Sequence, residues 1–122
     1  MNRPFEITER TFEFGVLIVQ FCEKLGQRAG ARRTLANQLL RAGTSIGANV
    51  EEAQAGYSRK EFICKYQIAL KEARETRYWL RIISHARLVA ADAVQELIQE
   101  ATELSRILGA IVVKARGQGQ TS

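Results

Sequence analysis

Five residues with cationic or aromatic side chains follow one another at intervals of three and four residues near the middle of the chain. They are Lys71, Arg74, Tyr78, Arg81 and His85, which we call the basic stripe. On an α-helix this spacing places all five side chains on one face. Lysine and arginine neutralise phosphates, and an interleaved tyrosine can stack on an exposed base. The spacing therefore predicts a surface that contacts RNA or DNA with little sequence preference.

A second basic group precedes the second helical segment, where Arg28, Arg32 and Arg33 flank Gly30. Three guanidinium groups beside a turn could clamp a phosphate. A simpler interpretation stays open for both groups, because charge on the outer face of a helix is usually solvated surface. On that interpretation Lys71 pairs with Glu75 four residues further on.

The positive charge is concentrated in the middle of the chain. The whole sequence carries a net charge of +5, but residues 24–87 contain thirteen Lys or Arg against five Glu, a net of +8. Residues 1–23 and 88–122 are slightly acidic, with net charges of −2 and −1. The basic middle predicts a polyanionic partner, and an acidic protein partner is the alternative to nucleic acid.

Catalytic and metal-binding patterns are not present in the sequence. Glu51, Glu52, Glu72 and Glu75 resemble the glutamates of di-iron bundles, but no Glu-x-x-His motif accompanies them. The single histidine, His85, has no obvious orienting carboxylate for a catalytic triad. We therefore expect no enzymatic activity, no cofactor and no metal.

The cysteines and the chain's hydropathy bear on its location. Cys22 and Cys64 are 42 residues apart without a nearby Cys or His, which predicts buried thiols instead of a zinc site or disulfide. No apolar run reaches membrane-spanning length, and the first segment does not resemble a secretory signal. A cytoplasmic protein without a membrane partner is expected.

Apolar residues recur with helical spacing in four segments, whereas strand-like alternation is not visible. The predicted helices cover about Thr8–Leu25, Arg33–Ala55, Ser58–Ala86 and a segment from Asp92 onward. The expected fold class is all-α, an antiparallel up-down four-helix bundle. It forms one domain at residues 1–116, followed by a flexible tail at 117–122. Ser58 and Glu61 predict a capping box, and Asp92 predicts an N-cap.

Two glycines interrupt the second helical pattern without breaking it. Gly43 and Gly47 are four residues apart, so they lie on one side of the helix. Each costs about 1 kcal/mol relative to alanine, which favours a role in letting another helix approach closely. A phosphate-binding loop is less consistent with the residues, because the Gly-Lys-Ser/Thr ending is absent.

Further residues predict how the bundle is held in register and how copies associate. Glutamates near the core boundary are expected to pair with arginines and fix helix register, and this set comprises Arg41, Glu51, Glu52 and Arg77. Apolar residues outside the main helix faces predict a subunit interface. These residues are Phe12, Val16, Val19, Ile98, Val112 and Val113.

Four segments of the sequence resemble a known family. They are Glu9–Phe14, Gln38–Gln54 with its Arg-Ala-Gly-Thr-Ser-Ile-Gly-Ala-Asn-Val-Glu-Glu-Ala motif, Ser58–Phe62 and Ala69–Leu80. The chain resembles the bacterial four-helix bundle proteins encoded in intervening sequences of 23S ribosomal RNA genes. The resemblance extends to accessory proteins of diversity-generating retroelements, which associate with nucleic acid and a reverse transcriptase. It implies an up-down bundle and a ring-like homopentamer, and it brings no catalytic residues.

Overall fold

The computed structural model describes residues 6–121, which form four α-helices and no strand. The helices are α1 (Glu6–Leu25), α2 (Ala31–Gln54), α3 (Arg59–His85) and α4 (Ala91–Thr121). Short connections join them, and each packs along the next one in the chain. The predicted all-α, antiparallel up-down four-helix bundle is therefore confirmed.

The start of α3 forms only half of the predicted capping box. Ser58 Oγ accepts a hydrogen bond from the backbone N–H of Glu61 at 3.1 Å, which satisfies one of the free amides at the helix start. The carboxylate of Glu61 accepts from the N–H of Tyr57 at 3.0 Å instead of returning to Ser58. The prediction for Asp92 was wrong, because α4 begins at Ala91 and Asp92 lies in its first turn. In the first turn, the negative charge of Asp92 still interacts favourably with the dipole of α4.

The ends of α2 and α4 also differ from the expected boundaries. α2 ends at Gln54, where the N–H of Ala55 bonds to the carbonyl of Glu51 at 3.2 Å. α4 continues to Thr121, five residues beyond the expected domain boundary at 116. Ser122 lies outside the described residues, and the division into a domain and a flexible tail stays a prediction.

The core runs along the bundle axis and consists of residues at the predicted helical spacing. Its largest fully buried side chains include Phe14, Ile18, Leu39, Ile46, Val50, Tyr66, Leu80, Ile83, Val94, Leu104 and Leu108. Polar atoms in this region have partners: Thr11 Oγ1 donates to the carbonyl of Ile7 at 2.8 Å, and Gln54 Nε2 donates to the hydroxyl of Tyr66 at 2.7 Å. No buried side-chain nitrogen or oxygen among the described residues is left unbonded.

Gly43 and Gly47 face α1, where the two helices come unusually close. A Cβ atom at Gly43 would lie 2.8 Å from Cγ2 of the buried Ile18. A Cβ atom at Gly47 would lie 3.2 Å from the backbone oxygen of Thr11. At these positions the absent side chains let α1 pack closely against α2.

Four apolar or thiol side chains differ in how far neighbouring helices cover them. Leu17 is 50% exposed and Phe21 is half-buried, because α1 and α4 approach each other at only a few positions. Val112 is buried, since it follows the core residue Leu108 by one turn, and it is therefore not part of an exposed strip. Cys64 is exposed, which corrects the expectation of two buried thiols.

Replacing Gly43 by alanine should destabilise the bundle. The added methyl group would overpack against Ile18 at a cost of about 1–3 kcal/mol, which exceeds the gain of about 1 kcal/mol in helix propensity. Thermal unfolding followed by circular dichroism should show a lower melting temperature. Gly109→Ala is the matched control, because nothing lies within 4 Å of a Cβ atom there. That variant should melt at or above the wild-type temperature, and a Gly43→Ala variant that behaves the same way would contradict the close approach.

The two cysteines should differ sharply in reactivity. Cys22 is buried, and burial raises the pKa of its thiol to about 11, whereas Cys64 is exposed. The thiolate is the reactive form, so iodoacetamide should modify Cys64 in the native protein and reach Cys22 only after unfolding. Mass spectrometry of peptides from native and denatured samples measures this. Rapid native labelling of Cys22 would show that the packing of α1 against α2 does not cover it.

Candidate nucleic-acid interface

The basic stripe lies on the outer face of α3. All five of its side chains are exposed, and they point away from the core residues Ala69, Ala73 and Leu80 of the same helix. From Lys71 to His85 the stripe spans about 21 Å along the helix axis. That length corresponds to about six nucleotides of one strand at the rise of a duplex.

The cations of the stripe are not neutralised by neighbouring carboxylates. Among the described residues, Lys71, Arg74 and Arg81 belong to none of the salt bridges. The carboxylate of Glu75, the expected partner of Lys71, instead bonds to Arg41 and accepts from Trp79 Nε1 at 3.1 Å. The Lys71–Glu75 pair that accompanied the simpler interpretation of the stripe as solvated surface is therefore not formed.

The aromatic and imidazole rings of the stripe are held in place. Tyr78 is 53% exposed, and its ring meets that of Trp79 edge-on, with centroids 5.2 Å apart and planes at 68°. Nδ1 of His85 lies 3.0 Å from the carbonyl oxygen of Arg81, so the neutral ring carries its proton on Nδ1. A base could stack on the open part of the Tyr78 ring without first ordering that side chain.

The three arginines near Gly30 are not a free clamp. Arg33 donates from Nε to the carbonyl of Gly26 at 2.9 Å and from Nη2 to that of Gln27 at 3.2 Å, which stabilises the end of α1. Arg32 Nε donates to the carbonyl of Leu88 at 3.3 Å, across to the α3–α4 connection. Arg28 is exposed and outside every salt bridge of the described chain.

The Arg32–Leu88 contact brings the two predicted basic groups to one end of the bundle. Leu88 follows His85 by three residues, so the α1–α2 connection lies beside the end of the stripe. Arg87 precedes Leu88 in the α3–α4 connection, with a positive φ of 59° and an exposed side chain. Arg28 and Arg87 can therefore extend the cationic surface beyond the end of α3.

Two further residues continue the surface at the other end, and the sequence interpretation missed them. Lys60 is exposed and lies on the same line of α3 as the stripe, since positions 60, 64, 67 and 71 keep the spacing of three and four. Tyr57, in the α2–α3 connection, is 98% exposed. Extending the periodicity backward from Lys71 would have found Lys60, whereas no pattern in the sequence indicates the exposure of Tyr57.

The register pairs form between α2 and α3, but with partly different partners. Arg41 bonds to Glu72 at 3.2 Å and to Glu75. Glu52 pairs with Lys65 at 2.7 Å instead of an arginine. Arg77 Nε donates to Thr102 Oγ1 at 2.9 Å and so connects α3 to α4 without an acidic partner.

The predicted interface residues are divided between surface and core. Phe12, Val16 and Val19 are exposed and line a shallow groove of about 360 Å³ between α1 and α2, where Gly15 and Gly47 also lie. Val113 on α4 is 72% exposed. Ile98 is half-buried and packs against the core. Glu51, which was predicted to form a register pair, borders the groove and makes no ion pair within the described chain.

Residues 6–121 contain neither a metal-binding cluster nor a membrane-spanning helix. No group of three or more His, Cys, Asp or Glu side chains within that range is arranged to hold a metal ion. None of the helices there combines the length and the hydropathy needed to cross a bilayer.

Comparisons with known proteins identify a matching family and a similar solved structure. Residues 3–110 match the family model described as 23S rRNA-intervening sequence protein. A crystal structure of a protein of unknown function from the S23 ribosomal protein family of Bacteroides thetaiotaomicron is similar, with a TM-score of 0.80 and 36% sequence identity. The similarity covers 87% of this chain and 97% of that chain. No curated protein has significant sequence similarity to this one.

Replacing Arg41 by methionine should lower the free energy of unfolding by about 1–3 kcal/mol, because the buried carboxylate of Glu72 would lose its cation. Chemical denaturation measures the change. Arg106→Met is the control, since Arg106 pairs with Glu103 on the exposed surface of α4 and surface pairs contribute little. Equal and small effects of the two substitutions would show that Arg41 does not hold α2 and α3 together.

Proposed function

This chain belongs to the 23S rRNA-intervening sequence protein family, and we propose that it is a non-enzymatic, homo-oligomeric protein that binds nucleic acid, RNA in the first instance, with low sequence specificity. The binding surface is the basic stripe on α3 together with Arg28, Arg87 and Lys60 at its two ends. The observation that carries the proposal is the absence of ion pairs at Lys71, Arg74 and Arg81 within the described chain.

The chemistry of the surface suits a phosphate backbone better than base-specific recognition. Unpaired lysine and arginine side chains displace the counterions that are condensed on the phosphates of a nucleic acid. This contribution to the binding free energy does not depend on sequence. The exposed ring of Tyr78 offers stacking, which every base can use. An α3 ridge of this kind supplies few directed donors and acceptors for base edges, so low specificity follows.

The net charge of α3 supports a nucleic-acid-binding surface on the outer face of this helix. Seven cations and three carboxylates give the helix a net charge of +4. Two of those carboxylates, Glu72 and Glu75, turn toward Arg41 of α2. Because the acidic groups are engaged between helices, the outer face of α3 is more positive than the helix composition alone suggests.

Association of several copies would strengthen this contact. The strip formed by Phe12, Val16 and Val19 leaves apolar surface in water, which self-association would remove. A closed ring, with five subunits as the family resemblance implies, would repeat the basic stripe around the assembly. Repetition converts a weak contact per subunit into high overall affinity.

Binding to RNA should therefore weaken steeply as salt rises. Fluorescence anisotropy with labelled single-stranded RNA at several salt concentrations gives the slope of log K against log salt. Removing two phosphate contacts with Arg74→Ala and Arg81→Ala should make that slope shallower by about 1.4 and weaken binding to every sequence alike.

The matched control removes the same charge from another helix. Lys114 and Arg116 are exposed on α4, and Lys114→Ala with Arg116→Ala should leave the slope close to that of the wild type. Light scattering of all three proteins checks that the oligomer is intact. Equal losses in both double variants would mean that net charge alone attracts RNA, and no binding at about 50 mM salt would favour an acidic protein as the partner of this face.

A further inference from the structure

The bundle is open along one side, between α1 and α4. These helices approach each other at only a few positions, and a groove of about 520 Å³ lies between them. We call it the α1–α4 groove and define it by Glu13, Leu17, Phe21, Asp92, Glu96 and Leu97. Arg10 and Glu100 lie at one end, joined by a two-pronged contact with distances of 2.7 and 2.9 Å.

The floor of this groove is apolar and accessible. Leu17 and Phe21 follow the core residues Phe14 and Ile18 by three residues on α1, yet Leu17 is exposed and Phe21 is half-buried. Leu97 of α4 and Phe14 of α1 close the floor beneath them. An occupant that covers Leu17 and Phe21 would gain about 25 cal/mol for each Å² of apolar surface removed from water.

The rim of the groove has the opposite charge from the basic stripe. Glu13, Asp92, Glu96 and Glu100 face a single guanidinium, that of Arg10. Of these carboxylates, only that of Glu100 pairs with Arg10. The hydrogen bond that Arg10 donates to Glu100 raises the pKa of the Arg10 guanidinium. Glu13, Asp92 and Glu96 form no salt bridge in the described part of the chain. A nucleic acid would be repelled by this rim, whereas a cationic ligand would be attracted.

We propose that the α1–α4 groove binds a cationic amphipathic helix of a partner protein. The lining of α1 from Arg10 to Phe21 extends about 17 Å, so it accommodates about three helical turns. Apolar side chains at positions i, i+3 or i+4, and i+7 of the partner contact Leu17 and Phe21. Lysines or arginines beside that apolar row meet Glu13, Asp92 and Glu96.

A helix fits this place better than an extended segment. The backbone groups of α1 and α4 are bonded within their own helices, so they offer no edge to which a strand could pair. Side chains of two neighbouring helices leave a furrow that the ridge of another helix fills in ordinary helix packing. The proposal is independent of the RNA role, since it uses the side of the bundle on which the carboxylates lie.

A synthetic peptide tests the proposal directly. The probe is a fluorescently labelled helix of about four turns, with leucines at i, i+3, i+4 and i+7 and lysines at the flanking positions. The comparison peptide has the same composition in an order without an apolar face. Anisotropy titrations should show the amphipathic peptide binding at least about tenfold more tightly than the comparison peptide.

Variants of α1 locate the site. Glu13→Lys and Leu17→Gln should each weaken binding of the amphipathic peptide by about tenfold. Glu23→Lys is the matched control, because Glu23 is an exposed carboxylate on the same helix that borders α2 instead of α4. It should leave the affinity unchanged, and RNA binding by Glu13→Lys should not fall, which separates this proposal from the RNA role.

Four results would overturn the proposal. Equal binding of the two peptides, or equal weakening by Glu13→Lys and Glu23→Lys, would mean general charge attraction without a groove. Failure of the amphipathic peptide to bind the wild type would remove the site. A smaller mass of Leu17→Gln in light scattering would show that a second copy of the chain occupies the groove.

Discussion

The close contact between α1 and α2 is the constraint from which the rest of the bundle follows. Two glycines remove the side chains that would otherwise separate the helices, and Ile18 and the backbone at Thr11 fill the space. Each glycine weakens the isolated helix by about 1 kcal/mol, so the contact must supply more than it removes. α1 is thereby seated on α2, and the apolar residues on its other flank remain uncovered toward α4.

The charged residues divide the same molecule into two unlike sides. Arg41 draws Glu72 and Glu75 of α3 toward α2, and the carboxylates are then unavailable to the lysines and arginines on the outside of α3. Half of the acidic residues of α1 and α4 line instead the groove between these two helices. One set of interhelical ion pairs thus stabilises the bundle and leaves its two exposed sides with opposite character.

Helical periodicity was sufficient to predict the fold, because an apolar row repeated every three or four residues has few other ways to be buried. The roles of Leu17, Val112 and Cys64 could not be read in the same way, since burial depends on which neighbouring helix covers a face and how far it stands away. Hydrogen-bond partners could not be predicted from the sequence either. Arg33 has a guanidinium that could bind phosphate, yet it donates to backbone carbonyls at the end of α1. Long, flexible side chains reach several partners, so spacing alone does not choose among them.

α1 makes no close contact with α3, and the two lie at opposite corners of the bundle. α1 carries four carboxylates and two cations, whereas α3 carries a net charge of +4. This separation gives the protomer an electric dipole moment directed across its short axis. In the field of a polyelectrolyte such a body rotates while it diffuses, so productive encounters become more frequent before any contact is made. For the proposed binding to RNA, the placement of charge on opposite corners would therefore raise the rate of association, and added salt would reduce this gain by screening the charges.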